Sequence, residues 1–141
     1  MVNKQDFGGL VLRITLGIIF FVHGIVKFQS GIDNIAGWFS SIGLPGFMAY
    51  GVALLEVVGG IALIIGLGTK LFSVLFALLM VGAIVKVKFA AGFLGNGEMA
   101  GWEFDLALLA MSIYLVLSEQ QPLSVDQWLK EKTKMHTNKS V

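Results

Sequence analysis

The sequence predicts an all-α integral membrane protein, a four-helix bundle with both termini on the cytoplasmic side and an amphipathic interfacial segment between its first two spans. Of its 141 residues, 56% are hydrophobic and only 13% are charged, about half the roughly 25% that soluble domains carry. The mean hydropathy is +0.83. So few charged side chains cannot cover a water-facing surface, which places the chain in a bilayer.

Four long apolar segments supply the predicted spans, at about 8–28, 46–67, 71–92 and 102–118. Each reaches or approaches the ~20 residues that a helix needs to cross about 30 Å of hydrocarbon, and none alternates as barrel strands do. In lipid every backbone polar group needs an internal partner, which favours helices. We expect the first segment to be retained, because it is too long for a signal peptide and contains Arg13, His23 and Lys27.

The distribution of positive charge predicts the orientation, since cytoplasmic loops and tails carry the excess of lysine and arginine. With four spans, both termini and the turn between the second and third spans share one side. Seven cations lie towards that side, Lys4, Arg13, Lys70, Lys130, Lys132, Lys134 and Lys139, against three towards the other, Lys27, Lys86 and Lys88. This asymmetry favours both termini inside.

Two further segments accompany the spans within a single membrane domain, residues 1–130. Between the first two spans, Ile32, Ile35, Trp38, Phe39 and Ile42 recur at helical spacing beside polar residues, which predicts a helix along the outer interface with Trp38 at headgroup depth. After a break at 120–123, Ser124 and Gln127 have the spacing of a capping box, and an interfacial helix is expected at about 124–131. Residues 132–141 are expected to form a polar, disordered cytoplasmic tail.

Ionisable residues inside the spans are the candidates for function, because a charge at mid-bilayer costs at least ~2.5 kcal/mol. His23 and Glu56 lie too deep for their polar ends to reach water easily, so they indicate a functional site or a buried network that supports one. Glu56 is the natural counter-charge for a cation on the first span, and the sequence does not choose between Arg13 and His23.

One face of the first span combines these cations with small residues. Arg13, His23 and Lys27 fall within an arc of about 80° at ~3.6 residues per turn, and Gly17 and Gly24 share that side. Small residues permit close helix approach, which predicts that this face lies in the interior. Arg13 fits a structural ion pair or a headgroup anchor equally well, and Lys27 fits an interfacial position.

The outer ends of the third and fourth spans carry charges of both signs. Lys86 and Lys88 are about 200° apart on an α-helix, so we expect Lys86 inside and Lys88 extended towards the interface. Glu103 and Asp105 begin the fourth span at a similar depth, where they belong to the site or simply favour a helix N-terminus.

Composition also excludes several classes of function. The chain has no cysteine, so it supplies no thiolate nucleophile and no cysteine-ligated iron–sulfur cluster. His23 is the only histidine in a span, which leaves no bis-histidine haem within one subunit, and we expect no metal site. A net charge of +1 gives no reason to expect nucleic acid. Any electrons must travel on a membrane-soluble quinone or through a partner protein.

The ordered motifs of the chain resemble those of the DoxX family of small bacterial membrane proteins. The resemblance extends from about Arg13 to Asp126 and most resembles the CatD and MhqP type of oxidoreductase. It departs at Ala100-Gly101, where relatives carry a glycine pair, and at 120–123, where they carry a Gly-Pro-Gly turn. The matching residues are Arg13, Gly17 to Phe20, His23-Gly24, Lys27, Gly37-Trp38-Phe39, Gly43-Leu44-Pro45, Leu55-Glu56, Gly59-Gly60, Gly66 to Thr69, Gly101-Trp102-Glu103 and Ser124-Val125-Asp126.

The resemblance implies a four-span, multi-pass protein of the bacterial plasma membrane, linked to quinone chemistry in catechol or quinone stress. The leading hypothesis is a quinone-linked oxidoreductase or a subunit of one, with quinone as a ligand that is not covalently bound. Its expected catalytic residues are His23 and Glu56, and its expected quinone- or anion-binding residues are Arg13, Lys27, Lys86, Trp102 and Glu103.

Two alternatives remain open from the sequence. One is a non-enzymatic membrane anchor for a soluble redox enzyme, since the chain carries no cofactor motif. The other is a small transporter for an aromatic solute, although four spans are few without dimerisation and no pair of broken helices is evident. The expected partners are the lipid bilayer, a soluble redox protein and a second copy of the chain in a homo-oligomer.

Overall fold

A computed structural model of the protein describes residues 4–119 and 121–138. Gln120, which we predicted in the break after the last span, lies outside the described residues, as do Lys139 and the end of the predicted tail. The described part is all-helical and contains no β-strand; Gly95 and Ala100 form an isolated bridge in a loop.

The helices occur in the predicted order. They are α1 (Lys4–Gln29), α2 (Ile32–Ser41), α3 (Phe47–Ile65), α4 (Thr69–Gly82), α5 (Glu103–Leu117) and α6 (Val125–Asn138). The α4 helix continues without interruption into a π-helical segment, Ala83–Lys88, and a 3₁₀ turn, Phe89–Ala91. Three helices are long and apolar enough to cross a membrane: α1, α3 and the continuous helix Thr69–Ala91. With 15 residues, α5 is shorter than the span predicted at 102–118.

Glycines let α1 and α3 pack against each other along their length. A Cβ atom added to Gly17 would lie 2.8 Å from the carbonyl oxygen of Gly60, and one added to Gly24 would lie 2.8 Å from the backbone nitrogen of Val57. Any larger residue would therefore push the helices apart. The prediction that the face carrying Gly17 and Gly24 lies in the interior is confirmed.

The core joins this pair of helices to a second pair formed by α4 and α5. Phe20 of α1 and Phe76 of α4 stack with ring centroids 3.7 Å apart and planes 3° from parallel. Both rings are almost fully buried, in one cluster with Leu16, Leu63 and Leu108. This layer separates two ends of the molecule, which we call the cavity end, where α2 lies, and the latch end, where α6 lies.

Arg13 organises the latch end. Its guanidinium is fully buried and donates to the carbonyl oxygens of Pro122, at 3.2 Å, and Leu123, at 2.9 Å. This contact holds the segment before α6 against α1. A planar guanidinium with several donors suits two neighbouring carbonyls better than an ammonium does.

Asp126 completes the latch by capping α4. Its two carboxylate oxygens accept hydrogen bonds from the backbone N–H groups of Gly68, at 2.9 Å, and Thr69, at 3.0 Å. Those donors have no partner inside the helix, and an anion there also favours the helix dipole. Gly66 has a φ of +75°, and a Cβ on it would lie 2.4 Å from the Cβ of Ser124. We refer to Arg13, 66–69 and 122–126 together as the Arg13 latch.

The end of the chain differs from its prediction. Ser124 accepts a hydrogen bond from the backbone nitrogen of Gln127 at 3.1 Å, which confirms the N-terminal half of the predicted capping box. The Gln127 side chain bonds Glu131 instead of returning to Ser124. The helix then continues to Asn138, beyond the predicted end at 131, because residues 132–138 contain no glycine or proline to end it.

Candidate functional site

The cavity end contains a cavity of about 720 Å³, within the roughly 300–1,000 Å³ that small-molecule sites occupy. Its floor is made by α1 and α5, and its sides by α3, α4 and the π-helical segment. Trp38 and Phe39 of α2 and Leu44 of the following loop also line it. The tyrosine hydroxyl of Tyr50 donates to the carboxylate of Asp33 and so ties α2 to α3.

An ion pair between α1 and α3 lies in the wall of this cavity. The Lys27 Nζ donates to Glu56 Oε2 at 2.6 Å, and the side chains are 23% and 6% exposed. Glu56 pairs with a cation of the first span, as we expected. The partner, however, is Lys27 rather than Arg13 or His23. Lys27 lies about one turn beyond His23 on α1 and has a side chain long enough to reach inward.

A second ion pair joins the π-helical segment to α5. The Lys88 Nζ donates to Asp105 Oδ2 at 2.6 Å, with side chains 26% and 8% exposed. The expectation that Lys88 extends towards the interface was wrong, since Lys88 makes this ion pair. Lys86, expected inside, also lines the cavity.

The cause of that error is the π-helical segment. Its hydrogen bonds run from residue i to residue i+5, so each turn holds more residues than an α-helical turn. Each residue of the segment therefore advances by less than the roughly 100° of an α-helix, and by its end Lys88 is rotated away from the position that an α-helical continuation of α4 would give it. A run of apolar and basic residues gives no sequence signal for such a segment.

The remaining wall is apolar and aromatic, with one imidazole. His23 lines the cavity, and its ring centroid lies 6.2 Å from that of Phe104. Lys86 also reaches the cavity but is exposed. Three lysines thus face two carboxylates and one histidine, in a wall otherwise made of apolar side chains such as Phe20, Met48, Val52, Leu55, Leu79 and Leu108.

Three residues that we predicted for the site lie outside this cavity. Arg13 belongs to the latch at the opposite end. Trp102 packs edge to face against Phe93 at 4.9 Å in the loop before α5. Glu103 is exposed at the start of α5. His23, Lys27, Glu56 and Lys86 all line the cavity, and His23 is exposed rather than deep as we predicted.

The prediction missed several residues of the cavity. Asp105 and Lys88 were recognised as charges within spans, but the α-helical register hid their pairing. Trp38 and Phe39 were assigned only to an interfacial helix, and helical periodicity does not show that such a helix covers a cavity. The depth shared by Asp105 and Lys88 in adjacent spans was the signal that pointed to the second pair.

A second cavity, of about 870 Å³, lies at the latch end. It is bordered by Asp126, Thr69 and the segment around Pro122. The buried charged groups there are already engaged by backbone atoms of the latch. We therefore centre the functional site on the cavity end. Among the described residues, no group of three or more histidine, aspartate and glutamate side chains is placed to hold a metal ion.

Comparison with known proteins places the chain in a family. The sequence model of DoxX matches residues 8–89. The chain belongs to the DoxX family. This DoxX protein is 47% identical over 128 residues to the Bacillus subtilis protein named "Putative oxidoreductase CatD", covering 90% of this chain and 91% of the relative.

Two further relatives carry membrane names. The chain is 32% identical over 124 residues to "Inner membrane protein YqjF" of Escherichia coli, covering 82% of this chain and 94% of the relative. It is 32% identical over 133 residues to a membrane protein of Mycobacterium tuberculosis, covering 87% and 82%. No solved structure shows significant similarity to the chain.

Proposed function

We propose that this DoxX protein is a membrane oxidoreductase, or the membrane subunit of one, that acts on quinones or catechol-type compounds in the cavity between α3 and α4, in quinone or catechol stress. The observation that carries the proposal is the cavity itself. It offers apolar and aromatic walls for a ring and two lysine–carboxylate pairs for the ring's oxygens. The name of the CatD relative supports the oxidoreductase class.

Reduction of a quinone to a quinol takes up two electrons and two protons, one at each oxygen. A lysine ammonium facing the ring stabilises the negative charge that develops on an oxygen. Glu56 and Asp105 each hold a lysine at 2.6 Å. In each pair the lysine ammonium can donate a proton to a quinone oxygen, and the carboxylate can return a proton to the lysine. His23, beside Phe104 of α5, is a further exchangeable donor. The electrons come from a reduced soluble partner protein.

The proposal includes a topology. We infer four spans, with α5 as the fourth, and both termini on the cytoplasmic side of the bacterial plasma membrane. The 15 residues of α5 extend about 22 Å at 1.5 Å per residue. Trp102, directly before the helix, lengthens the apolar segment. The cavity then lies in the outer half of the membrane and the latch in the inner half.

The test is to reconstitute the protein in lipid nanodiscs and titrate a short-chain quinone. Glu56→Gln keeps the shape of the side chain and removes the charge that holds Lys27, so we expect at least about tenfold weaker binding, a change of roughly 1.4 kcal/mol. His23→Ala is expected to weaken binding less and to lower the resistance of cells to catechols.

Glu98→Gln is the matched control, since Glu98 is an exposed carboxylate in the loop at the same end of the molecule. It should bind quinone as the unaltered protein does. Equal binding by the Glu56→Gln, His23→Ala and unaltered proteins, with equal resistance of the cells, rules the proposal out.

A second candidate, a membrane anchor for a soluble redox enzyme, is favoured by α6. From Gln127 to His136 every residue of this helix is exposed, and Lys132 lies 4.0 Å above the ring of Trp128. A helix held firmly at one end and exposed along its length is suited to contact another protein. Gentle solubilisation and pull-down would then recover a stoichiometric soluble protein, and the purified chain would bind no quinone.

A further inference from the structure

The cavity is a cleft between two helices rather than a hole in the centre of the molecule. The residues that line it from each side recur every three or four positions, so each set lies on one helix face. They include Met48, Val52 and Leu55 on α3, and Leu75, Leu79, Gly82 and Lys86 on α4 and the π-helical segment.

One side of the cleft is closed and the other is open. The α1 helix contacts α5 and forms a closed floor with it. In contrast, α3 and α4 approach each other closely over a short stretch near the turn that joins them, where a Cβ on Gly59 would lie 2.6 Å from the Phe76 ring. Towards α2 they separate. Leu78 is 64% exposed there, and a Cβ on Gly82 would meet no atom within 4 Å.

This opening faces the hydrocarbon of the bilayer. Both helices that border it are long and apolar enough to cross a membrane. Their outer surfaces carry exposed apolar side chains such as Leu54, Leu78 and Val81. The charged groups lie deeper in the cleft: Glu56 is 4% exposed and Asp105 is 6% exposed. From the lipid inward, the cleft therefore changes from apolar to charged.

We propose that the cleft is a lateral opening to the bilayer and that its ligand is a lipid-soluble ring compound with an apolar tail. The inference rests on the proposed function and narrows its substrate class. The oxygen-bearing ring lies against the Lys27–Glu56 and Lys88–Asp105 pairs, and the tail passes between α3 and α4 beside Gly82 into the lipid. Trp38 and Phe39 cover the ring on the α2 side.

The experiment compares two probes with the same ring, a dimethoxy-methyl-benzoquinone without a tail and its analogue with a decyl tail. Binding of each is measured in nanodiscs to the unaltered protein and to Gly82→Phe, which places a phenyl group in the opening. Gly51→Phe is the matched control, because Gly51 is also an exposed helical glycine with no atom within 4 Å of an added Cβ and does not line the cavity.

We expect Gly82→Phe to weaken binding of the tailed quinone at least about tenfold and binding of the tailless quinone less than about threefold. Gly51→Phe should change neither. Each probe partitions into the nanodisc lipid to the same extent whichever variant is present. Comparing variants with one probe therefore removes the contribution of partitioning to the measured binding. Three results overturn the lateral opening and leave the proposed function standing. They are an equal loss of affinity for both probes in Gly82→Phe, no loss of affinity for either probe, and binding of the tailless probe alone by the unaltered protein. Binding of neither probe by the unaltered protein overturns both.

Discussion

Arg13 and Lys27 lie on one face of the same helix but perform different tasks. Arg13 satisfies two backbone carbonyls at the latch end, and Lys27 pairs with Glu56 in the cavity. Sequence periodicity places both in the interior but gives no information about what they contact. That information depends on Pro122 and Leu123, more than 100 positions away along the chain, where no local pattern marks a carbonyl acceptor.

The first prediction concerns Arg13. Arg13→Met should lower the free energy of unfolding by about 3 kcal/mol, because it removes a charged donor and leaves two carbonyls unsatisfied. Arg13→Lys should recover only part of this, since an ammonium lacks the planar fork. Thermal unfolding in detergent measures both. Lys4→Met, at an exposed position on the same helix, is the control and should change little.

Quinone binding by Arg13→Met distinguishes the latch from the cavity. A protein that remains folded at the assay temperature should bind with unchanged affinity. Loss of binding without loss of stability contradicts the separation of the two ends and returns Arg13 to the candidate anion-binding residues.

At the scale of elements, the π-helical segment decides which side chains α4 presents to the cavity. An α-helix through 83–88 would place Lys88 at a different angle around the helix axis, away from Asp105. Segments of this kind recur at functional sites, and here the segment contributes two lysines to one wall. The connection through α2 has a similar effect, because a helix predicted only as interfacial supplies two aromatic rings to the site.

The second prediction compares the same substitution at two neighbouring lysines. Lys88→Met should destabilise the protein by about 2 kcal/mol, less than the roughly 3–5 kcal/mol for a fully buried pair because Lys88 is 26% exposed. Lys86→Met should cost less than about 0.5 kcal/mol, as for most surface positions. Chemical unfolding of both variants measures the difference.

The double variant Lys88→Met, Asp105→Asn supplies the control for that comparison. It removes both charges of the pair, so much of the lost stability should return. A larger cost at Lys86 than at Lys88 contradicts the Lys88–Asp105 pairing.

At the scale of the whole molecule, the all-helical class, the order of the helices and the interior position of the glycine face of α1 followed from the sequence. Composition and segment length determine the class, and Gly17 and Gly24 mark that face. The pairing of Lys88 with Asp105 and the extension of α6 to Asn138 did not follow. The first depends on a helix type without a sequence signal, and the second on a polar segment that contains no residue able to end the helix.

The third prediction tests the proposed topology. The chain has no cysteine, so single cysteines can be introduced without a background. With both termini in the cytoplasm, Asn96→Cys in the loop before α5 should react with a membrane-impermeant maleimide in intact cells. Glu131→Cys on α6 should react only after permeabilisation. Both positions are exposed, so accessibility within the protein is matched, and the opposite labelling pattern inverts the topology.

The stacked rings of Phe20 and Phe76 have a consequence for the path that protons can take through the protein. With Met80 and Leu108 they form a dry layer between the carboxylates of the cavity and the next buried hydroxyl groups of the described chain, Ser73 and Ser112. A proton that reaches Glu56 or Asp105 meets hydrocarbon on its way to the latch, where passage of a charge is costly. Under the proposed function, protons consumed in the cavity are therefore exchanged with the membrane face on the cavity side rather than through the latch.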